Sequence, residues 1–381
     1  MEHKTRIKGN VHYVGVNDRN KHRFEGMWPL PYGVSYNSYL IDDEMVALVD
    51  TVDICYFEVY LRKIKQVIGE RPINYLIINH MEPDHSGSIR LIKQHYPEII
   101  IVGNKQTFGM IEGFYGVTGE QYLVKEGDFL ALGHHKLRFY MTPMVHWPET
   151  MMTFDETDGV LFSGDGFGCF GTVDGGFLDT RINVDKYWGE MVRYYSNIVG
   201  KYGSPVQKAL QKLGGLPISA ICSTHGPVWT ENIAKVIGIY DRLSRYDADE
   251  GVVIAYGSMY GNTEQMAEAI AEELSAQGVK NIVMHNVTKS HPSYIIADIF
   301  RYKGLIIGSP TYSNQIFPEV EALLSKILLR EVKGRYLGYF GSFTWAGAAV
   351  KRMAEFAEKS KFELVGDPVE MKQAMQDITY T

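Results

Sequence analysis

The sequence predicts a two-domain α/β protein, in which a layered domain is followed by a doubly wound, five-stranded parallel sheet. The chain has 381 residues, a length that suits two domains. In the first two thirds, polar side chains follow short apolar runs, as they do at the strand ends of layered α/β domains. From residue 252 onward, strand and helix patterns alternate regularly, which is typical of a doubly wound sheet. We therefore place the first domain at residues 1–248 and the second at residues 252–381.

Composition and charge exclude several classes of protein. The chain is 45% hydrophobic and 22% charged with a net charge of −7, so neither nucleic acid nor an anionic membrane is favoured as a partner. Its three cysteines form no CxxC pair, which argues against a disulfide framework and against a rubredoxin-type or iron–sulfur module. No signal peptide or membrane-spanning run is evident. We expect a cytoplasmic protein.

Periodicity and turn residues predict the order of the elements. In the first domain, strands are predicted at residues 11–16, 36–41, 45–50, 75–78, 99–103, 137–144, 153–155, 160–165 and 218–223. Helices there are predicted at 56–69, 89–95, 186–198 and 206–213. The polar segment 241–251 is interpreted as a linker. Strands of the second domain are predicted at 252–256, 281–287, 304–308, 336–341 and 362–365.

The segment after the predicted strand 75–78 concentrates side chains that bind metals. His80, Glu82, Asp84 and His85 lie within six residues, on a predicted strand-to-helix turn. Because successive side chains alternate faces in extended backbone, the first three are expected on one side, with His85 approaching from another direction. Ser86 is expected to cap the helix that begins near residue 89. This segment supplies ligands for one metal ion and part of a second.

Three further candidate ligands, His146, Asp165 and His225, each follow a predicted strand. Seven ligands are too many for one ion but suit two ions that share a carboxylate, and Asp165 is the natural bridge. Imidazoles and carboxylates without thiolates suit iron, manganese or zinc. A single histidine is more often structural, but the joint placement at strand ends favours a metal site. The other histidines are interpreted as solvated or structural, with His134 and His135 as weak alternatives.

A loop at the start of the second domain has the character of a phosphate site. Its candidate contacts, between the first strand and the first helix, are Ser258, Met259, Tyr260, Gly261, Asn262 and Thr263. Hydroxyl groups and the N–H groups of a helix N-terminus can bind a phosphate there. The loop has no lysine and no GxGxxG spacing, which argues against a nucleoside triphosphate and a dinucleotide. A phosphomonoester held by neutral donors indicates FMN, although an ordinary glycine-rich turn also fits the loop alone.

Two more candidate segments follow the third and fourth strands of the second domain. They contain Ser309, Pro310, Thr311, Tyr312 and Asn314, and Gly341, Ser342, Phe343, Trp345 and Gly347. Loops from neighbouring strand ends form one crevice at the switch point of such a sheet. Aromatic residues in the crevice can flank an isoalloxazine ring. Core packing is the alternative for Trp345, although a tryptophan in a glycine-rich loop favours contact with a ligand.

These motifs resemble a known family over nearly the whole chain. The first domain resembles the metallo-β-lactamase fold, an αββα sandwich, but with Glu82 where that signature has histidine. This replacement resembles the flavodiiron proteins, and the three loops of the second domain resemble flavodoxin. The resemblance implies two irons, one held by His80, Glu82 and His146 and the other by Asp84, His85 and His225, with Asp165 as the bridge. A carboxylate in place of an imidazole also favours ferric iron over zinc.

The resemblance implies an oxidoreductase that reduces dioxygen to water, nitric oxide to nitrous oxide, or both, at a diiron site supplied with electrons by FMN. Reduced FMN and a diferrous site hold two electrons each, the four that dioxygen requires. The implied donor is rubredoxin, a similar small carrier or reduced deazaflavin. The implied assembly is a head-to-tail homodimer or a dimer of such dimers, in the two-domain form without further redox modules.

The sequence leaves two alternatives for the protein's function, and it does not assign the roles of Glu25 and Tyr195. Several flavodiiron proteins have histidine where this chain has Glu25, a difference that bears on the surroundings of the metal site and on substrate preference. Tyr195 is either a donor near the metals or a core residue. The first rival is a zinc hydrolase with a flavodoxin partner domain, against which Glu82 argues. The second is a flavodoxin-type electron carrier, against which the complete ligand set argues.

Overall fold

The computed structural model describes residues 5–376, and the chain divides into two compact units. The N-terminal unit comprises Met1–Tyr194 and Ser204–Asp241, and the C-terminal unit comprises Tyr195–Gly203 and Arg242–Thr381. The domain limits at residues 248 and 252 stay a prediction. Within the described range, no helix combines the length and the apolar character needed to cross a membrane.

The N-terminal unit contains two main β-sheets. Its strands are β1 (Arg6–Lys8), β2 (Val11–Tyr13), β3 (Val16–Asp18), β4 (Arg23–Phe24), β5 (Trp28–Pro29), β6 (Val34–Tyr36), β7 (Tyr39–Ile41), β8 (Ala47–Val49), β9 (Tyr75–Ile77), β10 (Ile100–Gly103), β11 (Gln121–Leu123), β12 (Phe129–Ala131), β13 (Lys136–Met141), β14 (Met151–Asp155), β15 (Val160–Gly164) and β16 (Ala220–Ser223). One sheet has the order β1-β2-β7-β8-β9-β10-β11, and the other has the order β12-β13-β14-β15-β16. Short pairs β3–β6 and β4–β5 lie outside both sheets.

The two main sheets share one hydrophobic core. Val49 and Ile77 of the first sheet belong to the same buried cluster as Phe139 and Phe162 of the second. The central strands β7 to β9 of the first sheet and β14 to β16 of the second are largely buried on both faces, as expected when helices cover the outer faces. The helices are α1 (Phe57–Ile68), α2 (Pro83–Ser86), α3 (Ile89–His95), α4 (Lys105–Tyr115), α5 (Asp185–Tyr194), α6 (Gly203–Leu213) and α7 (Ile233–Ser244). The predicted αββα sandwich is confirmed.

Two predicted strands of this unit are each divided in two. The predicted strand 11–16 becomes β2 and β3, and the predicted strand 36–41 becomes β6 and β7. Gly15 lies at the first break, where an added Cβ would come within 2.6 Å of the carbonyl oxygen of Tyr36. Close backbone approach at this bend therefore interrupts the apolar run, and the hydrophobic pattern alone does not reveal it.

The metal-binding segment also differs from its predicted backbone. Pro83 starts α2, since its fixed φ angle suits the first helical position, so Asp84 is helical rather than extended. The prediction that extended backbone places His80, Glu82 and Asp84 on one side is therefore wrong. Ser86 does not cap α3 either, because its hydroxyl donates to the carbonyl of Met81 at 3.0 Å.

The C-terminal unit has a doubly wound sheet. Its strands are β17 (Asp249–Tyr256), β18 (Ile282–Asn286), β19 (Tyr302–Tyr312), β20 (Gln315–Ile316), β21 (Tyr336–Phe343), β22 (Glu363–Leu364) and β23 (Val369–Lys372). The parallel order β18-β17-β19-β21-β22 is the flavodoxin-like order with a switch point between β17 and β19. The helices are α8 (Asn262–Ala276), α9 (Pro292–Arg301), α10 (Pro318–Arg330) and α11 (Ala349–Ser360).

The predicted doubly wound fold is confirmed, but two details of this region were not predicted. The sheet contains seven strands rather than five, because β20 pairs with β19 and β23 pairs with the end of β21. The predicted linker 241–251 is mostly regular, since α7 reaches Ser244 and β17 begins at Asp249. Arg242 and Asp249 form an ion pair of 2.5 Å, so the polar composition of this segment reflects paired surface charges.

Candidate metal centre and flavin site

Seven side chains converge at one end of the sandwich around the carboxylate of Asp165. Its Oδ2 atom lies 3.0 Å from Nε2 of His146 and 3.6 Å from Nε2 of His80. Its Oδ1 atom lies 3.2 Å from Nε2 of His85 and 3.6 Å from Nε2 of His225. Asp165 therefore faces imidazoles on both sides, the position that a bridging carboxylate between two ions requires.

The remaining carboxylates each belong to one side of this arrangement. Oε2 of Glu82 lies 3.1 Å from Nε2 of His146 and 3.7 Å from Nε2 of His80. On the other side, Asp84 places Oδ2 at 3.5 Å from Nε2 of His225. Its Oδ1 lies 3.7 Å from Nε2 of the neighbouring His85. The structure thus brings all seven predicted residues together, and their role as iron ligands stays a proposal.

Several ligand-type atoms of this cluster face one another without forming hydrogen bonds in the described part of the chain. Nε2 of His80, both carboxylate oxygens of Asp84, both ring nitrogens of His85 and Nε2 of His225 are buried without a hydrogen bond among the described residues. Buried polar atoms of this kind are costly unless another group satisfies them. Nitrogen and carboxylate donors without thiolates fit iron, so the cluster passes the chemical test for a non-haem diiron centre.

The protein groups also polarise one another strongly. Burial alone would raise the pKa of Glu82, but hydrogen bonds with His146 and His80 outweigh it and lower the pKa to about 2. Burial would lower the pKa of His85, but the charges of Asp84 and Asp165 raise it to about 10. Three carboxylates buried together are stabilised by positive charge close to them. Bound cations would supply that charge and leave the imidazoles neutral.

Outer contacts orient the imidazole rings. Nδ1 of His80 lies 2.6 Å from Oε1 of Glu149, and Nδ1 of His225 lies 2.8 Å from the carbonyl oxygen of Ser35. Each contact leaves Nε2 of the ring facing the centre, an arrangement typical of metal-binding histidines. The hydroxyl of Thr224 donates to Asp165. Sequence analysis missed Glu149, although an acidic residue three positions after His146 was a visible signal.

Replacing Glu149 by glutamine is expected to lower metal affinity or activity about 10- to 100-fold, because the variant loses the charged partner that holds the His80 ring. The measurement is iron retention during dialysis against a chelator, together with turnover. Glu98→Gln serves as a control, since Glu98 is exposed and outside the centre. Equal iron retention in both variants would show that Glu149 does not orient His80.

The two tyrosines at the end of α5 have different surroundings. Tyr195 lies in the π-helical turn Tyr195–Val199 and its ring packs edge-on against Phe300, so the core-packing interpretation fits its position. Tyr194 instead contacts the His225 ring at a centroid distance of 5.9 Å. Its buried hydroxyl has no hydrogen-bond partner in the described part of the chain. Tyr194, which the sequence did not single out, is thus the tyrosine beside the centre.

Glu25 lies in the arm that approaches the same centre. Its Oε2 accepts a hydrogen bond of 2.8 Å from Nε1 of Trp28. Partial burial and the charge of Glu82 raise its pKa. The preceding residue, Phe24, contacts the His225 ring at 5.3 Å. The arm therefore adds a carboxyl group to the electrostatic surroundings of the ligand cluster.

The second predicted site is a crevice of about 470 Å³ at the carboxyl ends of β17, β19 and β21. Twelve of the sixteen predicted contacts line it: Ser258, Met259, Tyr260, Asn262, Thr263, Pro310, Thr311, Tyr312, Asn314, Ser342, Phe343 and Trp345. Gly261, Ser309, Gly341 and Gly347 do not line it. The crevice also includes Ser313, Thr344 and Ala346, which lie within the two predicted segments, and Gln373, which was not predicted. Gln373 follows β23, a strand that the sequence pattern did not reveal.

The lining of this crevice fits a flavin mononucleotide. Tyr260 and Trp345 are 89% and 84% exposed, so neither packs in the core and both are free to flank a planar ring. No side chain of residues 5–376 caps α8, which leaves the N–H groups of its first turn available to a phosphate. The hydroxyl groups of Thr263 and Ser342 lie 2.8 Å apart at this point.

Replacing Thr263 by valine is expected to weaken FMN binding roughly 10- to 100-fold, because a hydrogen bond to a charged group contributes about 1.5–3 kcal/mol. The two side chains have nearly the same volume, so the fold should persist. The dissociation constant is measured by the recovery of free-flavin fluorescence. Ser275→Ala, at the exposed far end of α8, is the control. Unchanged affinity in a folded Thr263→Val protein would remove Thr263 from the site.

The sandwich, its cluster of metal-binding side chains and the flavodoxin-like crevice define a flavoprotein with a dinuclear metal site. A family model described as ODP family beta lactamase matches residues 34–226, and the flavodoxin model matches residues 254–379. The anaerobic nitric oxide reductase flavorubredoxin of Vibrio vulnificus is 32% identical over 363 residues, covering 94% of this chain and 73% of that protein.

Solved structures agree with this assignment. The rubredoxin oxygen:oxidoreductase of Desulfovibrio gigas superposes with a TM-score of 0.93 and 31% identity, covering 97% of this chain and 93% of that one. The flavodiiron protein of Giardia intestinalis has a TM-score of 0.93 and 28% identity, with 97% and 91% covered. The chain belongs to the flavodiiron protein family. It is an oxidoreductase whose cofactors are FMN and a non-haem diiron centre.

Proposed function

We propose that this protein reduces nitric oxide to nitrous oxide, dioxygen to water, or both, at the centre built around Asp165. The observation that carries the proposal is the presence, in one chain, of seven convergent metal-binding side chains and an FMN-type crevice. The names of two similar proteins support both gases as candidate substrates, since one is named as a nitric oxide reductase and another as an oxygen oxidoreductase.

Both reactions balance with the two cofactors of the family. Dioxygen takes four electrons and four protons to give two waters, and two nitric oxide molecules take two electrons and two protons to give nitrous oxide and water. When bound, the irons would supply open coordination positions for a gas molecule, and the irons and FMN would supply electrons. The chain itself must hold these groups, orient the gas and deliver protons.

Individual residues take defined parts in this proposal. Asp165 would hold both ions, and Glu82 would supply the hard carboxylate that favours iron over zinc. Glu149 and the carbonyl of Ser35 fix the rotation of two ligand rings. The buried Tyr194 hydroxyl has no partner among the described residues and its ring contacts His225, so Tyr194 is our candidate hydrogen-bond donor to a gas molecule at the centre.

Electron delivery and assembly follow from the same proposal. Rubredoxin, another small electron carrier and reduced deazaflavin are the candidate donors, because the chain carries no dinucleotide motif of its own. We further propose a head-to-tail homodimer, or a dimer of such dimers. A fully active protein that sediments as a monomer at every concentration would contradict this assembly.

Gas consumption under anaerobic handling tests the proposed function. The protein is reduced with photoreduced deazaflavin, and nitric oxide and dioxygen are followed separately by electrode, with nitrous oxide and peroxide quantified. We expect turnover that scales with bound iron, and nitrous oxide equal to half of the nitric oxide consumed. An iron- and FMN-loaded protein that consumes neither gas would refute the proposal, and a zinc-loaded active hydrolase would favour the first rival.

A further inference from the structure

A second cluster of metal-binding side chains lies at the other end of the second sheet. His135 precedes β13, Asp155 ends β14, and Asp158 lies in the turn between β14 and β15. Asp165 of the diiron centre follows the opposite end of β15. The five residues of that strand span about 16 Å, so the two clusters are separate.

The geometry of the cluster suits a single cation. Nδ1 of His135 lies 2.9 Å from Oδ2 of Asp155 and 4.0 Å from Oδ2 of Asp158. One donor atom from each residue lies within 4.8 Å of the other two. Donor atoms bound to one ion at 2.0–2.2 Å are separated from each other by about 3–4 Å, so only a small adjustment is needed.

The cluster also has two carboxylates and only one imidazole. The side chains of His135 and Asp155 are 1% and 0% exposed. Oδ2 of Asp158 is buried and accepts no hydrogen bond from any residue that the structure describes. Among the described residues, no lysine or arginine lies within ion-pair distance of either carboxylate, and the one imidazole faces both. A bound cation would satisfy the unpartnered oxygen and balance the charge.

The two loops that carry the cluster are held in place by other contacts. The backbone N–H groups of His134 and His135 donate to the carboxylate of Asp43 at 3.2 Å and 2.6 Å. The N–H of Thr157 donates to Oδ1 of Asp155 at 3.1 Å, which leaves Oδ2 for the cluster. The donor atoms are therefore preorganised, as a metal site of useful affinity requires.

We propose that His135, Asp155 and Asp158 bind one divalent cation of the zinc class, with water completing the coordination shell. An imidazole with two carboxylates is a donor set that zinc accepts readily. The ion would join the β12–β13 and β14–β15 connections, at a site distinct from the one that reduces gas. We assign the ion a structural role, because it would satisfy a buried donor atom and join two connections of one sheet.

Zinc stoichiometry in the iron-loaded holoprotein tests this site. The protein is incubated with zinc, passed over a desalting column and analysed for zinc and iron. We expect the wild type to gain one zinc per chain with its iron unchanged. Asp158→Asn should bind zinc at least tenfold more weakly while keeping its iron, FMN and gas reduction. The matched control is His134→Gln, since His134 is the exposed neighbour of His135 and should bind zinc like the wild type.

Thermal unfolding provides a second readout that does not depend on turnover. Zinc should raise the Tm of the wild type and of His134→Gln, and should leave the Tm of Asp158→Asn and His135→Gln unchanged. The inference is overturned if the wild type gains no zinc, if zinc enters only as iron leaves, or if Asp158→Asn and His135→Gln bind zinc as tightly as the wild type.

Discussion

Asp165→Asn is expected to abolish gas reduction and to lower bound iron from about two per chain to less than one. Asparagine keeps the shape of the side chain but removes the negative charge and offers one oxygen instead of two. Asp165 faces all four imidazoles of the cluster, so its loss affects both proposed iron positions. The loss of activity should exceed the roughly 10- to 100-fold effect that is usual for outer contacts to a ligand.

Iron content, FMN content and gas consumption are measured on the same preparation of Asp165→Asn. FMN should remain bound, because the crevice belongs to the other unit of the chain. Asp174→Asn is the matched control, since Asp174 forms surface ion pairs with Arg19 and Lys186. Two retained irons with normal turnover in Asp165→Asn would show that Asp165 does not bridge the ions.

Glu82→His is expected to shift metal selection from iron towards zinc and to reduce gas turnover by at least about 100-fold. An imidazole in place of the carboxylate removes one negative charge from the half of the centre that contains His80 and His146. The resulting site has less affinity for ferric iron, and zinc has no redox chemistry to offer a diatomic gas.

The informative comparison is Glu82→Asp, which keeps the carboxylate and should keep iron even if the shorter side chain lowers the rate. Both variants are grown with equal iron and zinc supply and analysed for both metals. A zinc-loaded Glu82→His protein with unchanged gas reduction would refute the iron mechanism and the role given to Glu82 together.

The sequence predicted the site better than it predicted the local backbone. All seven residues of the metal cluster were recognised because each follows a short apolar run, and strand ends at one edge of a sandwich converge in space. Extended backbone was nevertheless the wrong reason to place His80, Glu82 and Asp84 together, since Pro83 starts a helical turn. The seven side chains converge, but Asp84 and His85 reach the cluster from a helical turn.

The contacts that sequence analysis missed depend on long-range packing. Glu149 meets His80 only because the turn after β13 folds over the loop after β9. Gln373 reaches the flavin crevice through β23, a short, largely exposed strand whose pairing with β21 has no strong hydrophobic pattern. Tyr194 and Tyr195 are adjacent and alike in sequence, but neighbouring residues of a helix point in different directions, so Tyr194 contacts His225 and Tyr195 contacts Phe300.

Metal content per chain, in protein purified without air and without added metal, tests the central claim most directly. The account predicts about two irons per chain, the number expected from seven ligands with one bridging carboxylate. It also predicts that FMN is bound in the same preparation. Zinc in the centre with little iron, in a protein that still folds and binds FMN, would contradict the account and redirect the search to hydrolysis.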